Sequence, residues 1–164
     1  MTTIQGIRDF LGLKRLAVVG VSRNPQDFTR TLFRELQGRG YDVVPVNPNL
    51  SEVEGLSCLP RVQDASPPVE GALLLTHPSV TELVVQDCAR AGVRRIWMYR
   101  AAGDGAVSCG AVAYCQSNGI DLVEGECPFM FFNGHPGPID CTGSAGSCWA
   151  VTRSERLVRG RPAV

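Results

Sequence analysis

The chain has 164 residues, with sixteen Lys and Arg balancing sixteen Asp and Glu, 44% apolar residues and 20% charged ones. That length suits one domain, and a domain of about 150 residues buries roughly 70% of its unfolded surface without metal or disulfide staples. The zero formal charge argues against a dedicated nucleic-acid or anionic-membrane surface, and no stretch approaches the roughly 20 apolar residues of a membrane span.

In chain order, Ile4, Ile7 and Leu11 recur at helical spacing and predict a helix over 3–11. Arg15 to Gly20 is a continuous apolar run closed by glycine, the pattern of a strand buried on both faces. After a polar loop, Phe28, Leu32, Phe33 and Leu36 mark a helix that Gly38 and Gly40 end. Tyr41 to Val46 reads as a second strand, within which Pro45 lacks a ladder donor. Residues 49–70 are irregular. Gly71–Leu75 reads as a third strand, and Ser79 with Glu82 as a capping box opening a helix whose face holds Val80, Val84, Cys88 and Ala91. Arg95–Tyr99 is a fourth strand. Val107, Ala111, Val112 and Cys115 mark a helix ending near Asn118-Gly119, and Ile120–Val123 is a fifth strand.

Strands alternating with helices predict a single α/β domain: a Rossmann-like three-layer sandwich on a five-stranded parallel sheet, with expected order 3-2-1-4-5. The domain is expected over residues 1–130. Residues 131–164, with their Gly, Pro and Cys content, are expected to form an irregular extension ending in a mobile tail.

In such a sheet, ligands bind beyond the carboxyl ends of the strands. The loop after the first strand carries Gly20, Ser22 and Arg23: a glycine for close approach, a hydroxyl donor and a guanidinium, ahead of a helix N-terminus suited to phosphate. Gly-x-Gly-x-x-Gly is absent, because Ser22 stands at the second glycine. Asn47, rather than an acidic ribose-binding residue, follows the second strand. Arg100 begins a glycine-containing loop after the fourth strand and offers a further phosphate contact.

Residues 15–48 resemble the CoA-binding domain family related to the nucleotide-binding part of succinyl-CoA synthetase. The resemblance rests on Ala17 to Ser22, on Gly40-Tyr41 and on Val44 to Pro48. It continues to about residue 130, where Gly125 to Phe131 is similar to a Gly-x-Cys-Pro-x-Met segment in one branch. It implies a Rossmann-like fold binding CoA or acyl-CoA. Gly20, Val21, Ser22 and Arg23 would line the phosphate and ribose, Val46, Asn47 and Pro48 would flank the adenine, and Thr76, His77 and Pro78 would form the next wall. The chain departs from common members at Thr76 to Pro78 and at Tyr99-Arg100.

The expected role is binding, in sensing, delivery or regulation, with no catalytic residue assigned. The alternatives are an NAD(P)-binding redox protein and a CoA-dependent enzyme using His77 as base or Cys127 as thiol beside CoA. A zinc site from Cys127, His135, Cys141 and Cys148 lacks a Cys-x-x-Cys pair, and no metal is expected. The odd count of seven cysteines and the absence of a signal-like N-terminus suggest a reduced, cytoplasmic protein. The expected partner is a small-molecule nucleotide, with neither nucleic acid nor membrane, and an edge strand leaves room for a homodimer.

Overall fold

The five apolar runs become the five strands of one parallel sheet in a computed structural model that describes residues 2–100 and 105–132. Helix α1 (Ile4–Leu11) leads into β1 (Arg15–Val19), α2 (Phe28–Gly38) and β2 (Asp42–Val46). A small hairpin of β3 (Glu52–Val53) and β4 (Leu56–Ser57) follows, then a single 3₁₀ turn at Val62–Asp64. The chain continues through β5 (Gly71–Leu74), α3 (Pro78–Arg90), β6 (Arg95–Met98), α4 (Cys109–Ser117) and β7 (Asp121–Glu124), and closes on a 3₁₀ turn at Pro128–Phe131. The expected extension falls outside the described residues, except Phe131 and Phe132.

Alternation along the strands builds two cores. Leu16 and Val18 face the layer of α1 and α2, where Phe10, Phe33, Trp97 and Phe129 collect. Ala17 and Val19 face α3 and α4, against Val85, Cys88, Ala111 and Cys115. Each side of the sheet is therefore covered, as a parallel sheet requires. Trp97 is fully buried, and its indole N–H donates to the Glu126 carbonyl at 2.9 Å.

The sheet order is β2-β1-β5-β6-β7, or 2-1-3-4-5 counting sheet strands alone. The Rossmann-like class holds, but the expected 3-2-1-4-5 order does not: β5 pairs with β1, leaving β2 at the border. Pro45 gives the reason. Asp42 N–H donates to Lys14 O at 2.8 Å and Gly20 N–H donates to Val46 O at 3.1 Å, so 42, 44 and 46 address β1 and Pro45 faces outward. There its missing N–H costs no ladder bond, whereas with strands on both sides it would. All four residues of β5 are buried, as suits an interior strand.

Both borders are partly occupied. The Pro45 carbonyl accepts Leu59 N–H at 2.9 Å. On β7, the Thr2 hydroxyl accepts Glu124 N–H at 2.8 Å and donates to Glu124 O at 3.2 Å.

Candidate functional site

The new order moves the place where the strand sequence reverses. Connections leave in opposite directions from β1 and β5, so the crevice expected of a doubly wound sheet lies between the ends of these neighbours. A cleft of about 530 Å³ opens there. Val19, Gly20 and Val46 form its base, with Asn47, Pro48, Pro60 and Arg61 on one side. Leu75, Thr76, His77, Val80, Leu83 and Val84 form the other.

Gly20 makes the base closed. Its φ is +91°, and a Cβ there would lie 3.0 Å from Leu75 C and from Thr76 Cγ2. The glycine thus lets the β1 loop pass close against the end of β5, beyond the ligand approach expected from sequence.

Asn47 ties three pieces together. Its amide Nδ2–H donates to Val21 O at 3.0 Å, its Oδ1 accepts Asn49 N–H at 2.9 Å, and its backbone carbonyl accepts the Cys58 thiol at 3.6 Å. Burial pushes the Cys58 thiol up, and that carbonyl contact partly offsets the rise. The Arg23 guanidinium donates to Asn49 O at 3.2 Å, which joins the β1 and β2 loops.

The loop before α2 is internally satisfied. Asp27 caps the helix, its carboxylate accepting Thr29 N–H at 2.8 Å and Thr29 Oγ1–H at 2.6 Å. Thr29 Oγ1 in turn accepts Ser22 N–H at 2.9 Å, and Ser22 Oγ accepts Asn24 N–H at 3.2 Å. The N-terminus of α2 therefore carries its own anion, contrary to the open phosphate site expected from sequence.

Helix α3 also starts differently from the expected capping box. His77 is its N-cap, with Nδ1 accepting Ser79 N–H at 3.4 Å and lying 2.9 Å from Ser79 Oγ. Pro78 fills the first position, where no N–H is needed. Glu82 instead accepts the Ser108 hydroxyl at 2.6 Å, bridging to α4. The buried face is Thr81, Val85 and Cys88, while Val80 is 46% and Leu83 65% exposed on the cleft side.

Of the sequence candidates, Gly20, Val46, Asn47, Pro48, Thr76 and His77 meet in the cleft. Arg23 borders it through its bond to Asn49 O, whereas Ser22 is engaged with Thr29 and Asn24, outside the cleft lining. Val21 has its side chain fully buried in the core. Pro78 serves α3. Arg100 is exposed and follows β6, outside the cleft lining, and the four residues after it lie outside the described residues. Cys127 is buried with Trp97, Tyr99 and Phe129 in the α1–α2 core, so it does not stand as a thiol in the cleft.

Among the described residues no three His, Cys, Asp or Glu are grouped to hold a metal. His135, Cys141 and Cys148 lie outside them. Sequence reading missed the wall of Pro60 and Arg61. That wall is placed by Leu59, which bridges to Val46 in parallel and carries the chain back to this edge.

A second depression of about 430 Å³ lies between Lys14, Arg39, Tyr41 and Phe132. Two of its polar groups are already engaged. Arg39 pairs with Glu35 at 2.8 Å and sits over the Phe132 ring, and Tyr41 OH donates to Leu11 O at 2.7 Å.

A family profile described as CoA binding domain matches residues 14–132. The chain belongs to the CoA-binding domain family. This domain is 29% identical over 94 residues to an ADP-forming acetate–CoA ligase II of Archaeoglobus fulgidus, covering 56% of this chain but 14% of the ligase. It is 32% identical over 57 residues to the uncharacterized protein YneT of Bacillus subtilis, covering 35% of this chain and 42% of that one. The domain thus spans less than half the length of both relatives.

Among solved structures, a hypothetical protein from Pyrococcus horikoshii OT3 superposes with a TM-score of 0.72 at 28% identity, covering 79% of this chain and 89% of that one. A dinucleotide-forming acetyl-coenzyme A synthetase of Ca. Korarchaeum cryptofilum, in complex with phosphate and ADP, superposes with a TM-score of 0.56 at 26% identity. That match covers 66% of this chain and 25% of the synthetase.

Proposed function

We propose that the domain binds coenzyme A or an acyl-CoA in the cleft between the ends of β1 and β5, as a sensing, delivery or regulatory module without chemistry of its own. The observation that carries this reading is the coincidence of the family match over 14–132 with a cleft at the strand reversal. Within Gly20 to Arg23 the Val21 N–H and the Arg23 guanidinium address the pyrophosphate, and Val46 to Pro48 and Thr76-His77 flank the adenosine. Among the described residues no protein acceptor meets the N–H groups of Val21, Thr76 or His77. These donors suit an anionic ligand.

His77 Nδ1 is occupied at the start of α3, and among the described residues no carboxylate bonds to its ring. Cys127 is in the core. Thiols at Cys58, Cys88 and Cys115 fit a reducing, cytoplasmic setting.

Titration calorimetry and thermal shifts with CoA, acetyl-CoA, NAD and NADP test the reading. A ligand bound only by the native state stabilises it by about 2.7 kcal/mol at 100 times Kd. CoA is expected to raise the melting temperature and the pyridine nucleotides are not. A response to NAD or NADP with none to CoA overturns it.

A further inference from the structure

We infer that Arg61, which lies outside the segments singled out from sequence, is the residue that selects the ribose 3′-phosphate of CoA. The inference rests on the CoA reading above.

Its basis is where the charges of the cleft stand. Of its lining residues, Arg61 and Asp87 carry full charges. Asp87 is partly neutralised by Arg90 on its own helix, at 3.1 Å. The exposed Arg61 guanidinium makes no hydrogen bond or ion pair among the described residues. Among the described residues that line the cleft it is the one Lys or Arg.

Its backbone is held on both sides. Leu59 is bonded along β2, donating to Pro45 O and accepting from Asn47 N–H, both at 2.9 Å. Val62 is 2% exposed and anchors the 3₁₀ turn in the α3–α4 core. Between them, Arg61 is fixed beside the carboxyl end of β2.

That end of the sheet is where a doubly wound fold holds a nucleotide's ribose. In dinucleotide-binding folds of this kind an acidic side chain there bonds the ribose 2′-OH, and an arginine nearby accommodates a 2′-phosphate instead; the 3′-phosphate of CoA, on the neighbouring carbon, presents the same dianion. This domain has Asn47 at the former position, with its side chain committed to Val21 and Asn49, and Arg61 beside it. The arrangement offers no carboxylate to the ribose hydroxyls at this point and supplies a guanidinium fork for a phosphate. The pyrophosphate is left to the β1 loop, so the two phosphate groups of CoA are read by different elements.

The test is calorimetric binding of CoA and 3′-dephospho-CoA to the native protein, Arg61→Gln and Arg61→Lys, with melting temperatures to confirm folding. The native protein is expected to prefer CoA by about tenfold or more, the worth of one charge-assisted hydrogen bond. Arg61→Gln should bring the ratio close to one by weakening CoA alone, and Arg61→Lys should keep part of the preference. Equal weakening of both ligands by Arg61→Gln, or an unchanged ratio, overturns the assignment. If the native protein binds both ligands equally, the CoA reading stands and this inference fails. If it binds neither, the CoA reading itself has failed.

Discussion

Gly20→Ala separates two costs that usually arrive together. The backbone at Gly20 has φ +91°, which costs a side-chain-bearing residue about 1–3 kcal/mol. The added Cβ also meets Leu75 C, Thr76 Cγ2 and Leu75 O at 3.0, 3.0 and 3.1 Å. Two of those three are backbone atoms of an interior strand end, so they yield only with the sheet, adding about 1–3 kcal/mol of overpacking. Gly40 is the matched control: its φ is +85°, and an added Cβ meets nothing within 4 Å. Urea unfolding should therefore show Gly40→Ala losing about 1–3 kcal/mol, and Gly20→Ala losing at least about 1 kcal/mol more, through midpoint shifts at constant m. Gly20→Ala should also lose ligand affinity at the cleft, whereas Gly40→Ala should not. Equal destabilisation by the two substitutions would refute the claim that the β1 loop is pressed against the end of β5.

Four further outcomes follow from the hydrogen bonds and thiols. Asn47→Ala, which deletes the bonds to Val21 and Asn49, should cost about 1–3 kcal/mol in urea unfolding and weaken the cleft's ligand. Thr2→Val should cost about 1 kcal/mol and speed amide exchange at Glu124, while exchange at Gly125, bonded inward to Met98, is unchanged. Burial raises Cys88 to about 12 and Cys115 to about 11, from an ordinary 9.0. Both groups stay protonated in the native state at pH values where the unfolded chain releases their protons. Stability is therefore expected to be undiminished by them below pH 9 and to fall as pH rises from there toward 12, as alkaline melts of the native protein against Cys88→Ala would report. Exposed Cys109 should react first with a thiol reagent, and Cys88 and Cys115 only on unfolding.

The strands could be read from the sequence because each is a short apolar run between turn residues. Their order depended on a single residue. Pro45 inside the second strand already argued for a border position, and an order with that strand in the interior ignored the missing donor. The crossover from 47 to 70 gave no help, since it forms a hairpin and a 3₁₀ turn instead of a helix. At the site, loops that directly follow strands were legible: Gly20, Asn47, Thr76 and His77 do meet. Arg61 was not, because its place comes from Leu59 bridging to Val46, a contact without a local pattern. Asp27, one residue before Phe28, is a standard N-cap in the sequence and fills that helix end with its own carboxylate. Val80 and Val84 followed the helical period but face the cleft, since periodicity marks an apolar face without saying what covers it.

The occupied borders of the sheet bear on how the protein behaves in a crowd. A bare parallel edge is a template on which any extended chain can condense. Here β2 presents a proline whose oxygen is already taken by Leu59, and β7 presents Glu124 with both polar groups held by one hydroxyl. Among the described strand residues Val43 and Leu122 alone remain to address a newcomer, one residue per side, too short for a ladder to nucleate. The molecule is thus insulated against growth by strand addition, and a second copy would have to meet it through helix or loop surfaces. The same insulation makes Thr2 an unexpected guardian: removing the first two residues would unlock one flank and should show as slow self-association on storage, with the cleft intact.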